Sequence, residues 1–448
     1  MVTVSVTELG RDGGLYYGVN THQTAGTNYV CIAASEQAIK YFNDRKPCDV
    51  SAVKTITGIH QERVPVLFGS FREGDQQKSA EVFRHDLVAS SFFFLSDWQI
   101  GIPTMTDCHG RIRYDDSIQK LLNIDYPVVN EYALLLGKLL DEAGFKPEAM
   151  NWQGFDFALG LTHDIDRLRK KTTGIWVRET VDFLIRNKNN TSLRQRVARW
   201  KSSVTDLLTP GDSYQDSILK IIDFADHTSV KPTFFVQSGI QKHPNDSVNY
   251  LDYPFFTLMT DRISRCGGEI GFHPGYEAGY DDELFDLELH QLEKKLNLKV
   301  KSVRHHYLRY DARKFPAMLS RHSIENDSSI AWAEQAGSRT GCVSPHTVFD
   351  RNKNCDTNVL EFSMIAMDVQ LLNYMGLNIS GSVDLMRKQV DLVERYHGVI
   401  VWNYHHHTFD PIDAPGWQQL FGQSLNYAIE RKPYHETFKG LAETWFAF

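Results

Sequence analysis

From residue 158 onwards, short apolar runs alternate with segments of helical periodicity, and this alternation limits the folds that the chain can adopt. The runs are Ala158–Asp166, Pro232–Ser238, Glu269–His273, Val303–Leu308, Val359–Asp368 and Gly398–His405, with a weaker run at Ser323–Ile330. The clearest helical segments between them are Ser213–His227, Asp281–Leu296 and Ser382–Tyr396. Because strands that alternate with helices usually pair in parallel, we predict a parallel α/β sheet or barrel of about seven strands.

The length of 448 residues exceeds what one ordinary hydrophobic core holds, so we expect two domains. Residues 1–150 predict a mixed α/β region that ends in a well-patterned helix at Val128–Gly144. Within it, the aromatic-rich segment Leu87–Trp98 has too little periodicity for an assignment. Pro147–Gly154 is interpreted as a linker, which gives a smaller mixed α/β domain at 1–150 and the larger domain at 151–448.

Composition and charge exclude several classes of protein. Hydrophobic residues make up 42% and charged residues 23%, as in a folded protein, and the net charge of −8 argues against a nucleic-acid partner. No stretch approaches the roughly 18 apolar residues of a membrane span, and the N-terminus lacks a signal-peptide pattern, so we expect a cytoplasmic protein. The cysteines show no Cys-x-x-Cys pair, which favours reduced thiols; they are Cys31, Cys48, Cys108, Cys266, Cys342 and Cys355.

The first apolar run ends in the motif Thr162-His-Asp-Ile-Asp166. Side chains alternate along a strand, so Asp164 and Asp166 point to the same side. Two adjacent carboxylates repel each other unless a metal ion or a shared proton neutralises them. One metal ligand and one general base would satisfy this requirement, and a solvated turn is the simpler alternative.

Imidazoles and a guanidinium end later runs, where the carboxyl ends of parallel strands collect functional groups. His273 ends the third run and is a suitable zinc ligand, with Glu277 four residues on, although a hydrogen-bonded structural histidine is the alternative. The fourth run holds Arg304-His-His306, and the last ends in His405-His-His407, which a solvated loop rarely concentrates. We expect the first of these clusters to require anions nearby, either carboxylates or a substrate oxyanion. We interpret the second as imidazoles that bind a metal ion or act as acid and base, with a solvated loop as the alternative.

In this order the motifs resemble the polysaccharide deacetylase family, carbohydrate esterase family 4, from about Phe155 to the C-terminus. The motifs are Asp164-x-Asp166, Pro232-Thr-Phe-Phe-Val236, Glu269-Ile-Gly-x-His273, Arg304-x-x-Tyr307 and the late strand-end His405. The N-terminal part resembles the domain that precedes this fold in a bacterial subgroup, on the segments Phe92–Trp98 and His109-Gly-Arg111.

The resemblance implies a distorted seven-stranded (β/α) barrel that binds one divalent metal ion, often zinc, and removes acetyl groups from sugars. It implies roles for six residues, namely Asp164 as general base, Asp166 and His273 as metal ligands, Arg304 as the residue that holds the base, Tyr307 as the backbone N–H donor for the oxyanion, and His405 as general acid. The substrate would be an acetylated sugar or polysaccharide. Asp327 is a candidate to orient His405.

One position departs from the family pattern. The family's second ligand histidine follows the first by four residues, and Glu277 stands there. Either Glu277 completes the metal site or an imidazole of His305 or His306 does; we favour His306, because zinc readily takes an Asp-His-His set and the related subgroup tends to carry a histidine there. An incomplete site that binds no metal is the third alternative.

We therefore expect a zinc-dependent carbohydrate deacetylase that acts on an N-acetyl sugar in polysaccharide or glycolipid metabolism. A non-catalytic carbohydrate-binding protein on a decayed deacetylase scaffold is the alternative, and a glycoside hydrolase fits less well because neighbouring Asp164 and Asp166 would share one wall of a cleft. The polar and basic segment Asn187–Ser203 is interpreted as a solvated insertion, or else as a lid or a contact for an anionic polymer or membrane surface.

Overall fold

The computed structural model describes most of the chain, namely residues 3–7, 16–20, 30–33, 35–44, 53–69, 82–83, 85–99, 106–142, 144–185, 192–239, 243–246 and 250–448. The chain divides into two compact units. The first comprises Met1–Met150 with the short segments Ser338–Val343 and Arg351–Asn354, and the second comprises the remaining residues.

Within its described residues, the first unit contains one sheet of four strands and one of two, with four helices. Its strands are β1 Thr3–Thr7, β2 Tyr16–Asn20, β3 Val30–Ala33, β4 Lys54–Ile56, β5 Val64–Val66 and β6 Val82–Phe83. Its helices are α1 Glu36–Asp44, α2 Leu87–Leu95, α3 Ile118–Leu121 and α4 Val128–Glu142, with a 3₁₀ turn at Tyr114–Asp116. The larger sheet has the order β1-β2-β3-β6, and only its β3–β6 pair is parallel.

Helices α2 and α4 supply much of the apolar core of the first unit. Most of the segment that sequence periodicity left unassigned forms α2, because Asp86 caps it by accepting a hydrogen bond from the Ala89 N–H at 2.8 Å and Phe93 and Phe94 are buried. The predicted helix at Val128–Gly144 is confirmed as α4. Its buried positions include Val128, Tyr132 and Leu135, which recur at helical spacing.

The second unit is an α/β structure. Its strands are β7 Ala158–Ile165, β8 Thr233–Val236, β9 Glu269–Phe272, β10 Ser302–Val303, β11 Asn326–Asp327, β12 His346–Asp350, β13 Cys355–Glu361, β14 Ala366–Met367, β15 Val399–Asn403 and β16 Tyr434–His435. Its helices are α5 Thr173–Leu184, α6 Leu193–Leu208, α7 Ser213–Thr228, α8 Pro254–Arg265, α9 Asp282–Leu296, α10 Phe315–Arg321, α11 Ile379–Arg395, α12 Trp417–Glu430 and α13 Phe438–Ala447. Shorter helical turns lie at Tyr250–Asp252, His306–Leu308, Gln370–Tyr374 and His406–Phe409.

The sheet of the second unit has the order β12-β13-β11-β10-β9-β8-β7-β15-β14, and β16 also pairs with β7. Every neighbouring pair is parallel except β12–β13. The run Val359–Asp368, predicted as one strand, is divided between β13 and β14, which lie towards opposite ends of this order. The N–H of Phe362 bonds to β11 and that of Ile365 bonds to β15. The sheet therefore curls towards closure, which is consistent with a (β/α) barrel.

The predicted helices of the second unit are confirmed as α7, α9 and α11, and α11 begins three residues before the predicted Ser382. The first part of the predicted insertion, 187–191, lies outside the described residues, and the rest belongs to α6. Strand β7 is buried along its whole length, as expected of a parallel strand covered on both faces. Among the helices that the structure describes, none combines the length and apolar character needed to cross a membrane.

Candidate metal centre and catalytic site

The two aspartates of the first motif lie at the carboxyl end of β7. Asp164 is buried and accepts hydrogen bonds from Arg304 Nη1 at 2.9 Å and from Asn403 Nδ2 at 2.8 Å. Asp166 follows the last residue of the strand and is partly exposed. Neighbouring side chains thus hold Asp164 through both of its carboxylate oxygens.

Three of the predicted residues come together beside Asp164. One ligand atom from each of Asp166, His273 and His306 lies within 4.8 Å of the others. The Nε2 atoms of His273 and His306 lie 3.4 Å and 3.5 Å from Asp166 Oδ1. A tetrahedral zinc ion with bonds of about 2.0–2.1 Å separates its ligand atoms by roughly 3.3–3.4 Å, so these spacings fit such an ion.

Hydrogen bonds on the far side of each imidazole fix the atom that faces Asp166. His273 Nδ1 lies 2.6 Å from the carbonyl oxygen of Arg304, and His306 Nδ1 lies 2.8 Å from Asp246 Oδ1. Each Nδ1 therefore donates its proton outwards, which leaves Nε2 with a free lone pair. The Nε2 of His273 is buried and faces Asp166 Oδ1. Both rings are thus prepared to bind a cation.

The charges at the site also favour a cation. Burial would lower the pKa of His273, but the charges of Asp164 and Asp166 prevail and raise it. Burial would raise the pKa of Asp166, but the hydrogen bond and charge of His273 and the charge of His306 hold it well below its usual value. The carboxylate is therefore ionised, as a metal ligand requires, and the residues present fit a divalent ion.

Arg304 connects the strand ends around the base candidate. It is fully buried, and it donates from Nη1 to Asp164 and to Thr162 Oγ1 and from Nε and Nη2 to Ser328. Burial raises the pKa of Asp164, but the charges of Arg304, His273 and His405 together outweigh it and hold that pKa below its usual value. Asp164 is consequently ionised at neutral pH.

His405 lies across from Asp164, with Nε2 3.9 Å from Asp164 Oδ2. Its Nδ1 bonds to Asp368 Oδ1 at 2.7 Å, and its backbone N–H donates to Asp368 Oδ2 at 2.7 Å. Burial alone would lower the pKa of His405, but the charge and hydrogen bond of Asp368 raise it to about 10. His405 is therefore protonated at neutral pH and presents Nε2–H towards Asp164.

The expectation that Asp327 orients His405 is wrong. Asp327 instead bonds to Ser329 and lies beside Glu361, where burial raises the pKa of both carboxyl groups, and repulsion from Asp327 adds to the rise at Glu361. The strand β11 that carries Asp327 pairs with β10 and β13, whereas β15 before His405 pairs with β14 and β7. Asp368 follows β14 and therefore reaches His405 directly.

The alternative third ligands lie elsewhere. Glu277 is half exposed and lies 3.8 Å from His243 and 3.9 Å from Arg309. His305 is buried with its ring stacked on Phe315 at a centroid distance of 4.1 Å. Neither belongs to the group of ligand atoms around Asp166.

Tyr307 follows His306 directly and has a left-handed backbone, with φ of +60°. This conformation is uncommon for a residue other than glycine, and such strain concentrates at functional sites. The ring of Tyr307 packs against His306 at a centroid distance of 4.7 Å and against Tyr276 at 5.4 Å. The turn thus directs the imidazole of His306 and the backbone of Tyr307 to neighbouring positions.

Sequence reasoning missed Asp246, Asp368 and Asn403, all of which contact predicted site residues. Asp368 and Asn403 carried a detectable signal, because each is a polar residue near the end of an apolar run. Asp246 lies outside the strands, in the short described stretch 243–246, and no local pattern singles it out.

Residues 18–144 match a family of unknown function, DUF7033. This match covers the larger part of the first unit and none of the second. No curated protein matches the chain.

Solved structures similar to the chain include two proteins assigned as polysaccharide deacetylases and one allantoinase. The protein from Mycobacterium smegmatis is 14% identical, with a TM-score of 0.43 over 67% of this chain and 95% of its own. The Puue allantoinase is 11% identical, with a TM-score of 0.46 over 68% of this chain and 95% of its own. The protein from Pseudomonas aeruginosa is 12% identical, with a TM-score of 0.45 over 69% and 97%. At such identities and scores, the function has to be argued from the side chains of the site.

Proposed function

We propose that the chain is a metal-dependent hydrolase that removes an acetyl group, bound through nitrogen, from a sugar or polysaccharide. The observation that carries the proposal is the grouping of Asp166, His273 and His306 within 4.8 Å, beside the ionised Asp164 and the protonated His405. A ligand set, a base and an acid thus meet at one end of the sheet.

Asp166, His273 and His306 would hold one divalent ion, for which the two imidazoles and one carboxylate favour zinc. When bound, such an ion supplies Lewis acidity that makes water a better nucleophile and polarises an acyl oxygen. Asp246 and the carbonyl of Arg304 keep both imidazoles in the tautomer that can bind it.

The remaining residues act on protons and charge. Asp164 accepts the proton of the attacking water, and Arg304 keeps the carboxylate ionised and in position for that transfer. The backbone N–H of Tyr307 would stabilise the oxyanion that forms on the acyl group. His405 donates its Nε2 proton to the departing amine, which is too basic to leave unprotonated, and Asp368 keeps His405 charged until then.

The test combines metal content with acetate release from N-acetylated chito-oligosaccharides. We expect about one equivalent of zinc per chain, its loss in His273→Ala, and a loss of activity in Asp164→Ala of roughly 10²–10⁴-fold, the usual contribution of a general base. Asp156→Ala is the matched control, because Asp156 is an exposed aspartate just before the same strand.

Absence of zinc together with unchanged activity in Asp164→Ala would refute the proposal. Binding of the oligosaccharide without acetate release, by a protein that holds no metal, would favour the carbohydrate-binding alternative instead.

A further inference from the structure

Helices α5 and α6 form a hairpin inserted between strands β7 and β8. The Arg196 guanidinium donates to the backbone carbonyls of Asp182, at 3.0 Å, and Phe183, and so caps the end of α5. The rings of Phe183 and Trp200 stack at a centroid distance of 5.5 Å. These contacts bring the end of α5 and the start of α6 together, and we call Leu184, Ile185 and Leu193 the hairpin tip.

The hairpin tip exposes large apolar side chains. The exposed fractions are 66% for Leu184, 80% for Ile185 and 66% for Leu193. A single exposed leucine is ordinary on a protein surface, but three exposed aliphatic residues at the end of one helical hairpin mark a candidate interaction surface.

Positive charge surrounds the tip in the sequence. No acidic residue occurs between Phe183 and Thr205, and this stretch holds six basic residues, Arg186, Lys188, Arg194, Arg196, Arg199 and Lys201, in a chain of net charge −8. Arg194 and Lys201 are exposed and make no ion pair within the described residues. Arg194 also lies in the first turn of α6, where the helix dipole disfavours a cation, so local helix stability does not explain its presence.

We propose that the hairpin tip docks on an anionic membrane surface, with the aliphatic side chains inserted among the lipids and Arg194 and Lys201 at the level of the headgroups. Shallow burial of apolar side chains combined with basic residues facing anionic lipids is the chemistry by which helices bind at an interface without spanning it. Since the chain as a whole is negative, a bilayer of anionic lipid repels most of its surface and selects this one. The proposal goes beyond the deacetylase activity and does not depend on the metal site.

Two other occupants fit the surface less well. A soluble anionic polymer would match the basic residues but leaves the exposed Leu184, Ile185 and Leu193 in water. A second copy of the chain, bound tip to tip, would bury the aliphatic side chains but would bring two clusters of positive charge together. A lipid surface satisfies both features at once.

The test is co-sedimentation of the full chain with vesicles of phosphatidylcholine alone and of phosphatidylcholine mixed with phosphatidylglycerol. We expect binding to the mixed vesicles only. The double variant Ile185→Ser/Leu193→Ser should bind at least about tenfold more weakly. Leu208→Ser is the matched control, because Leu208 is 80% exposed but lies at the other end of α6, about 22 Å from Leu193 at 1.5 Å per residue.

A second variant tests the electrostatic part. Arg194→Gln/Lys201→Gln should weaken binding at low salt and reduce its dependence on salt concentration, because fewer charges then face the headgroups. Circular dichroism and the acetate-release assay on a soluble substrate report whether each variant is folded.

Any of four results would overturn the inference: no binding of the unmodified chain to mixed vesicles, unchanged binding of the tip variant, an equal loss in Leu208→Ser, or binding to dextran sulfate but not to vesicles. Light scattering that shows a dimer abolished by the tip variant would assign the surface to a second copy instead.

Discussion

Replacement of Asp246 should weaken zinc binding although this residue is not a ligand. Asp246 Oδ1 lies 2.8 Å from His306 Nδ1, and both side chains are buried, with exposed fractions of 4% and 7%. Asp246→Ala removes the acceptor that fixes the tautomer and orientation of the ring. Loss of such a partner typically costs 10–100-fold in metal affinity, which corresponds to about 1.4–2.7 kcal/mol. Asp246→Asn retains an acceptor oxygen without the charge, so a smaller loss is expected.

Calorimetric titration of zinc into the metal-free protein measures this effect. Asp246 also accepts the backbone N–H of Tyr276 at 2.9 Å, so the melting temperature of each variant is recorded to separate a local effect from unfolding. Glu277→Gln serves as the control, since Glu277 was the alternative ligand four residues after His273 but lies outside the group of candidate ligand atoms. Equal affinities of the unmodified chain and a folded Asp246→Ala variant would refute the orienting role. A loss in Glu277→Gln without one in His306→Ala would place the third ligand at Glu277.

Three further predictions concern protonation and packing. Asp368→Asn removes the charge that raises the pKa of His405 to about 10. The alkaline limb of the pH profile of kcat/KM should therefore move down towards about 6.5, and a limb that does not move would contradict this prediction. Burial raises the pKa of Glu288 from 4.5 to about 7, so its stabilising effect is complete below pH 4.5 and is lost as the pH rises through 7, at a cost of about 3 kcal/mol. In urea denaturation, the free energy of unfolding of Glu288→Gln should no longer fall over this pH range. If it falls as in the unmodified protein, another group is responsible. In Gly271→Ala the new Cβ would lie 2.6 Å from the ring of Phe235, so we expect a loss of about 1–3 kcal/mol in the free energy of unfolding. An unchanged denaturation midpoint would show that the ring moves aside at no cost.

The elements of the second unit were largely predictable because their signals are local. Strands such as Ala158–Ile165 are buried on both faces and are therefore largely apolar without alternation, and the helices between them bury one stripe each. The placement of Asp164, Asp166 and His273 near strand ends follows from the same runs. These conclusions need no knowledge of which strands are neighbours.

The sequence pattern does not decide which residue joins Asp166 and His273 in the candidate metal site. Strand β10 has only two residues, so alternation does not extend to His305 and His306. The backbone turns through the left-handed Tyr307, and His305 packs on Phe315 in the core while His306 faces Asp166. A choice between two adjacent histidines therefore depends on tertiary packing.

The residues that hold the imidazoles were harder still, because their contacts are remote in sequence. Asp246 is 60 residues from His306, and Asp368 is 37 residues from His405. Asp327, in the segment Asn326-Asp-Ser-Ser329, is the candidate that the sequence offers to orient His405, but the order of strands separates the two residues. Pairing a carboxylate with a histidine requires that strand order, which composition and periodicity do not contain.

The register of the sheet explains why the site assembles at all. Ile165, Val236, Phe272 and Val303 are paired in succession across β7, β8, β9 and β10. Asp166, His273 and Arg304 each follow one of these residues by a single position, so they reach the same level of the sheet from three strands. A shift of one residue in the register of any of these strands would turn its side chains to the opposite face and separate these three residues. Asp166 and His273 therefore come together only in the folded sheet. An ion bound by them and His306 would stabilise the fold by an amount that grows with the logarithm of its affinity, about 2.7 kcal/mol when its free concentration is 100 times the Kd. Metal affinity and the stability of this unit therefore both depend on the register of these strands.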